Sequence, residues 1–234
     1  EAANATRSGT DVTSVPSTDS AGPNLTSIGA FSAPQQADAA SPLEFTGATP
    51  TVIQTATSAA GNILLTDHMT TGGGSMRMFM VVDADSLGTS GTALFAESQG
   101  DGANDSWYFG VFVNGSGNLQ FYCRARRFDD AYNATSASSI TASGFGLFIA
   151  ELNVTQTTWA VYINGTLIAS GATDATKFPN PSSSWVSMGA RASNTTASVA
   201  GTGDLSELYF TGEQNSTTLD AIRTQLATKY SITL

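Results

Sequence analysis

Few residues in this chain have chemistry to offer, and their spacing decides what they can do. Tyr122, Arg124 and Arg126 alternate along FYCRARR, so an extended backbone puts all three on one face. Three of the seven arginines fall within Arg124–Arg127, in a chain whose formal net charge is −10. An aromatic platform beside guanidinium forks suits a sugar ring or an acidic glycan. The same arginines also suit pairing with Asp129, Asp130 or an acidic neighbouring chain, and both uses stay open at this point. Asp101, Asn104 and Asp105 in QGDGANDS are hard oxygen donors on a loop, fit for calcium and fit also for ordinary turn chemistry. Their spacing is not that of an EF-hand.

Other chemistries find little support. His68 is the only histidine, which excludes a zinc cluster built on histidines and leaves little for a Ser-His-Asp arrangement. Gly72-Gly73-Gly74 is not followed by Lys-Ser/Thr and so is no phosphate cradle. Cys123 is the only cysteine, makes no internal disulfide, and sits in an apolar alternating run that reads as a buried thiol. The acidic balance argues against nucleic acid or an anionic membrane as the main partner. No run approaches 18 consecutive apolar residues, so no transmembrane helix is expected. The chain begins at Glu1 with no charged and apolar leader, and is expected to be a processed product.

Nine of the twelve asparagines stand in N-x-S/T: Asn4, Asn24, Asn104, Asn114, Asn133, Asn153, Asn164, Asn194 and Asn215. N-glycosylation of a secreted protein is one explanation, and a β-rich surface that favours Asn-Gly-Thr turns is the other.

The elements that must position these residues are mostly strands. In TTWAVYINGTLIAS, Trp159, Val161 and Ile163 alternate against Ala160 and Tyr162, and Asn164-Gly165 supplies a type I′ hairpin turn. In SMRMFMVVD, Met76, Met78, Met80 and Val82 share one face while Phe79 and Val81 make the other apolar too, as in a strand covered on both sides. Further strands are expected at 43–46, 51–55, 63–65, 92–96, 107–113, 118–123, 145–152, 184–190 and 204–211, with Asn114 to Gly117 as a second hairpin turn. Only TTLDAIRTQLATKY changes period: Leu219, Ile222, Leu226 and Tyr230 recur at helical spacing behind Thr217 as the expected N-cap. Residues 1–42 differ from the rest, being rich in Pro, Ala, Ser and Thr and poor in large apolar groups. They read as an extended low-complexity arm preceding a domain at 43–234, held down by its own domain or by another subunit.

WAVYINGTLIASG, then WVSMGA, then GDLSELYF, then LDAIRTQLATKYSITL together resemble the concanavalin A-like, laminin-G-like superfamily. The resemblance implies an all-β, two-sheet antiparallel jelly-roll sandwich with one short C-terminal helix, often binding glycans or protein partners. It assigns Glu207 a structural role. Glycosidases of this fold set carboxylates two and four residues apart on one strand face, and none of the six glutamates (Glu1, Glu44, Glu97, Glu151, Glu207, Glu213) lies in E-x-D-x-x-E. No enzyme and no obligatory cofactor are expected, with calcium the one candidate ion.

Two functions follow. One is a structural or decoration protein of an assembled particle, of the kind in which this superfamily recurs in phages, joined to other subunits through the arm and displayed on the virion surface. The alternative is a free, extracellular, lectin-like module. Both make a cell-surface glycan the outward partner.

Overall fold

The computed structural model describes residues 5–16, 24–27, 33–38, 40–46, 52–55, 75–89, 95–98, 106–127, 130–155, 157–173, 185–193, 196–198, 201–212 and 215–234. Seventeen strands and one α-helix are found among them. In chain order these are β1 (Thr6–Ser8), β2 (Asp11–Val15), β3 (Leu25–Thr26), β4 (Leu43–Phe45), β5 (Ile53–Gln54), β6 (Ser75–Asp83), β7 (Phe95–Ser98), β8 (Ser106–Val113) and β9 (Asn118–Arg127). They continue with β10 (Asp130–Thr141), β11 (Leu147–Thr155), β12 (Thr158–Ile163), β13 (Thr166–Ala172), β14 (Trp185–Met188), β15 (Arg191–Ser193), β16 (Thr196–Ser198), β17 (Gly203–Thr211) and helix α1 (Ser216–Tyr230). The strand expected at 63–65 lies outside the described residues.

Two antiparallel sheets form the sandwich. One has nine strands in the order β1-β2-β3-β5-β14-β7-β8-β9-β10, and the other six in the order β13-β12-β11-β6-β17-β4. The alternation read in the sequence sets which side chains meet between them. Met76, Met78, Met80 and Val82 of β6 join Phe148, Ala150, Leu152 and Val154 of β11 and Val161 and Ile163 of β12. From the larger sheet come Phe95, Phe109, Val111, Phe121, Cys123, Val186 and Met188. The odd positions of β6 face outward, where Phe79, Val81 and Ile149 are buried under Leu219, Leu226 and Ala227 of α1. Strand β6 is therefore covered on both sides, as its composition requires.

Local chemistry fixes the joints. Asn164 and Gly165 take positive φ of 48° and 78°, the conformation of the expected hairpin turn. Asn114 Oδ1 accepts from the backbone of Ser116 and Asn118, closing the β8–β9 turn. The helix starts earlier than expected. Asn215, not Thr217, is the N-cap, with its Oδ1 accepting from Thr218 N at 2.9 Å. An asparagine in extended conformation reaches that amide, and Thr217 is already inside the first turn.

Residues 1–42 are expected to be held down by their own domain or by another subunit, and their described part joins the domain's own sheet. There β1 to β3 extend the nine-stranded sheet through β5, and Val12, Val15 and Leu25 lie in the main core. Pro34 accepts a backbone hydrogen bond from Val12, and Gln35 bridges Asp11 to Glu44. A few well-placed apolar residues suffice because the rest of the sheet supplies the other wall. Strand β10 was also not expected, since DAYNATSASSIT has hardly a large apolar residue to reveal its alternation.

Two packing details yield tests. A Cβ on Gly171 would meet Trp159 Nε1 at 2.7 Å and Cε2 at 2.9 Å. Gly171→Ala is expected to lower stability by about 1–3 kcal/mol in urea unfolding. In a Trp159→Ala background the same change should be close to neutral, and an equal cost in both backgrounds would remove the close contact as the cause. The second concerns Asp204, on β17 opposite Glu44. Burial, then the charges of Glu44 and Asp83, hold its carboxyl above the ordinary 3.8. The charged form is the disfavoured one in the fold, so stability present below pH 3.8 is lost as pH rises through the elevated pKa. Asp204→Asn should therefore melt higher than the parent at pH 7, with the gain vanishing as pH falls below about 3.8. A gain that persists in acid would contradict the assignment.

Candidate functional site

The three residues singled out in the sequence lie on β9, and its register with both neighbours places them. Position 122 is opposite Gly110 of β8 and Thr135 of β10, position 124 opposite Tyr108 and Asn133, and position 126 opposite Ser106 and Ala131. Phe121 and Cys123, the intervening residues, are buried in the core between the sheets. Positions 122, 124 and 126 therefore alternate onto the outer face of the nine-stranded sheet, about 7 Å apart. Tyr122 itself is half-buried. Pairing adds positions 108, 133 and 135 to the same face, a neighbourhood that the spacing of charged and aromatic residues does not reveal. Counting back from the Asn114 turn would have found Tyr108, since Val113 pairs with Leu119 and the register then runs without a break.

Farther along that sheet the outward positions are already occupied. Ala96 of β7 and Ser187 of β14 point away from the core yet are fully buried, and β15 packs against both strands there. Ser187 Oγ donates to Ala190 O at 2.8 Å, tying the start of the β15–β16 hairpin to the sheet. The hairpin thus bounds the β8–β10 surface on the β14 side.

The outer face of the six-stranded sheet is used by α1. Glu151 sits at its centre with no exposure, and Arg223 from the helix grips it in a two-pronged pair. Arg223 Nε lies 2.7 Å from Glu151 Oε2 and Nη2 lies 2.9 Å from Oε1. Arg223 also reaches Asp220 and lies over the Tyr162 ring at 5.4 Å. Glu151 holds the Arg223 guanidinium even more firmly protonated than usual. Glu207 accepts from Lys229 Nζ and Tyr230 Oη, each at 2.8 Å, the structural role expected of it. Burial and then the Glu207 bond push the Tyr230 hydroxyl up to about 12. These two carboxylates hold a helix in place.

Cys123 is buried, and desolvation pushes its thiol up to about 12, so it is no nucleophile at neutral pH. Asp101, Asn104 and Asp105 lie outside the described residues. Among the described residues no group of three or more His, Cys, Asp or Glu is placed to hold a metal ion, and no helix is long and apolar enough to cross a membrane.

The asparagine excess has a partly structural explanation. Asn114 Oδ1 closes the β8–β9 turn, Asn164 Oδ1 accepts from Ile149 N and ties the β12–β13 turn to β11, and Asn215 Oδ1 caps α1. Asn153 is only 6% exposed, too enclosed to carry a glycan in the folded state. Asn24 is exposed.

Comparison with known proteins agrees with the architecture. Among solved structures, the NanB sialidase of Streptococcus pneumoniae is similar over 77% of this chain and 28% of its own, at 17% identity and a TM-score of 0.55. The binding domain of botulinum neurotoxin DC, solved in complex with SialylT, is similar over 78% of this chain and 44% of its own, at 13% identity and a TM-score of 0.50. The CBM40 of the Ruminococcus gnavus IT-sialidase aligns over 64% of this chain and 82% of its own, at 17% identity and a TM-score of 0.48. At these identities the likeness is one of fold. No curated protein sequence matches. The Laminin_G_3 family model matches residues 56–213, so the chain belongs to the concanavalin A-like lectin/glucanases superfamily.

Proposed function

We propose that this domain is a non-enzymatic, extracellular glycan-binding module that takes acidic glycans on the outer face of β8, β9 and β10. The observation that carries this reading is the register of β9, which brings positions 122, 124 and 126 onto one face beside Tyr108 and Asn133. A tyrosine ring covers the apolar side of a sugar, and guanidinium forks match a carboxylate in two parallel hydrogen bonds. That a domain of this architecture was solved in complex with SialylT is consistent with an acidic sugar. The two best-placed carboxylates, Glu151 and Glu207, are committed to α1, which supports a binding rather than a catalytic role.

Display on an assembled particle, at a virion surface, is the second reading, and it needs a contact with other subunits. The arm that recommended it contributes, in the described part of residues 1–42, strands to this chain's own sheet. Calcium at Asp101, Asn104 and Asp105 remains a proposal, tested by adding calcium or EDTA to the same assay.

A glycan array with the parent protein and the Tyr122→Ala/Arg124→Ala/Arg126→Ala variant tests the site. Acidic glycans should be retained by the parent and bound about tenfold or more weakly by the variant, given charge-assisted bonds lost at each arginine. The melting temperature should be little changed, because none of the three positions faces the core. Equal binding by both proteins, or binding that ignores the sugar, would end the reading for this face.

A further inference from the structure

We propose that Arg77 anchors a carboxylate-bearing ligand on the outer face of the six-stranded sheet, a second site independent of the β8–β10 surface. Arg77 lies on β6 one step along from Phe79, the last residue of that face packed under α1. Its register partners are Asn153 on β11 and Thr211 on β17. It is half-buried, its Nε is enclosed without an acceptor, and among the described residues it makes no hydrogen bond, ion pair or ring contact. The contrast with Arg223 on the same face is sharp, since that side chain holds two carboxylates and a tyrosine ring.

A guanidinium is always charged and presents five donors, so a partly desolvated one with no acceptor is costly and calls for a partner. The chain has 19 acidic and 9 basic residues, yet among the described residues no acidic side chain is paired with Arg77. Asn153 sits beside it at 6% exposure, with its Oδ1 also unmatched. An amide can present its carbonyl or its NH₂ as a ligand requires. Two unmet polar side chains on neighbouring strands, one cationic and one adaptable, suit a planar anion that takes parallel hydrogen bonds from the fork. Tyr209, 43% exposed on the adjacent strand and one row along, supplies an apolar wall. A monoanion fits better than a phosphate dianion, because the net charge of −10 repels each added negative charge.

The test uses acetate as the probe and thermal melting as the readout, with chloride at equal ionic strength as the control. The parent should melt about 3 °C higher in acetate at a concentration ten times its dissociation constant. Arg77→Gln should lose that difference, and Arg77→Lys, which keeps charge and stem without the planar fork, should lose at least half of it. If the glutamine variant does not fold, the lysine variant decides. The Tyr122/Arg124/Arg126 triple-alanine variant should keep the full acetate effect, and loss of the effect there would move the anion to the other face and overturn this proposal. The proposal is equally overturned if the parent shows no acetate-specific rise, or if the Arg77 variants show the same rise.

Discussion

A strand that is apolar on both faces can exist only where both faces are covered, and β6 imposes that condition on the molecule. Its even positions fill the space between the sheets, and its odd positions leave Phe79 and Val81 in need of a second cover. Strand β11 repeats the demand with Ile149 on one side and Phe148 and Ala150 on the other. The C-terminal helix answers it. Leu219, Leu226 and Ala227 close over those three side chains, and the sandwich becomes three layers over its central strands.

The helix is held by more than apolar contact. Glu151 is wholly buried at the sheet centre, where an unpaired carboxylate would be prohibitive. Arg223 supplies both hydrogen bonds, and removing either partner of such a pair costs about 3–5 kcal/mol because the other charge is stranded. Lys229 and Tyr230 fasten the far end to Glu207. One sheet thereby uses much of its outer face for its own closure. The other sheet carries a bounded surface over β8–β10, where tyrosine, arginine and asparagine positions share one side. The proposed recognition surface rests on that shared side alone.

Much of this is legible in the residues themselves. The Met76–Val82 stripe, the Asn164-Gly165 turn and the Leu219–Tyr230 spacing each carry a period strong enough to survive folding unchanged. What escapes is built from small polar residues. Strand β10 is a run of Ala, Ser, Thr and Asn whose pairing is dictated by β9 and not by its own side chains. Strands β2 and β3 contribute only Val12, Val15 and Leu25 to a core that others supply. The candidate site is half legible: Tyr122, Arg124 and Arg126 come from alternation alone, while positions 133 and 135 require knowing that β10 exists.

Chemical-shift mapping with 3′-sialyllactose, on the whole chain with assigned backbone amides, tests the division between the two sheets most directly. The account predicts that the largest perturbations fall on Ser106–Val113, Asn118–Arg127 and Asp130–Thr141, with the amides of α1 left in place. Perturbations that spare all three strands while the sugar binds elsewhere, or no perturbation at all, would contradict it.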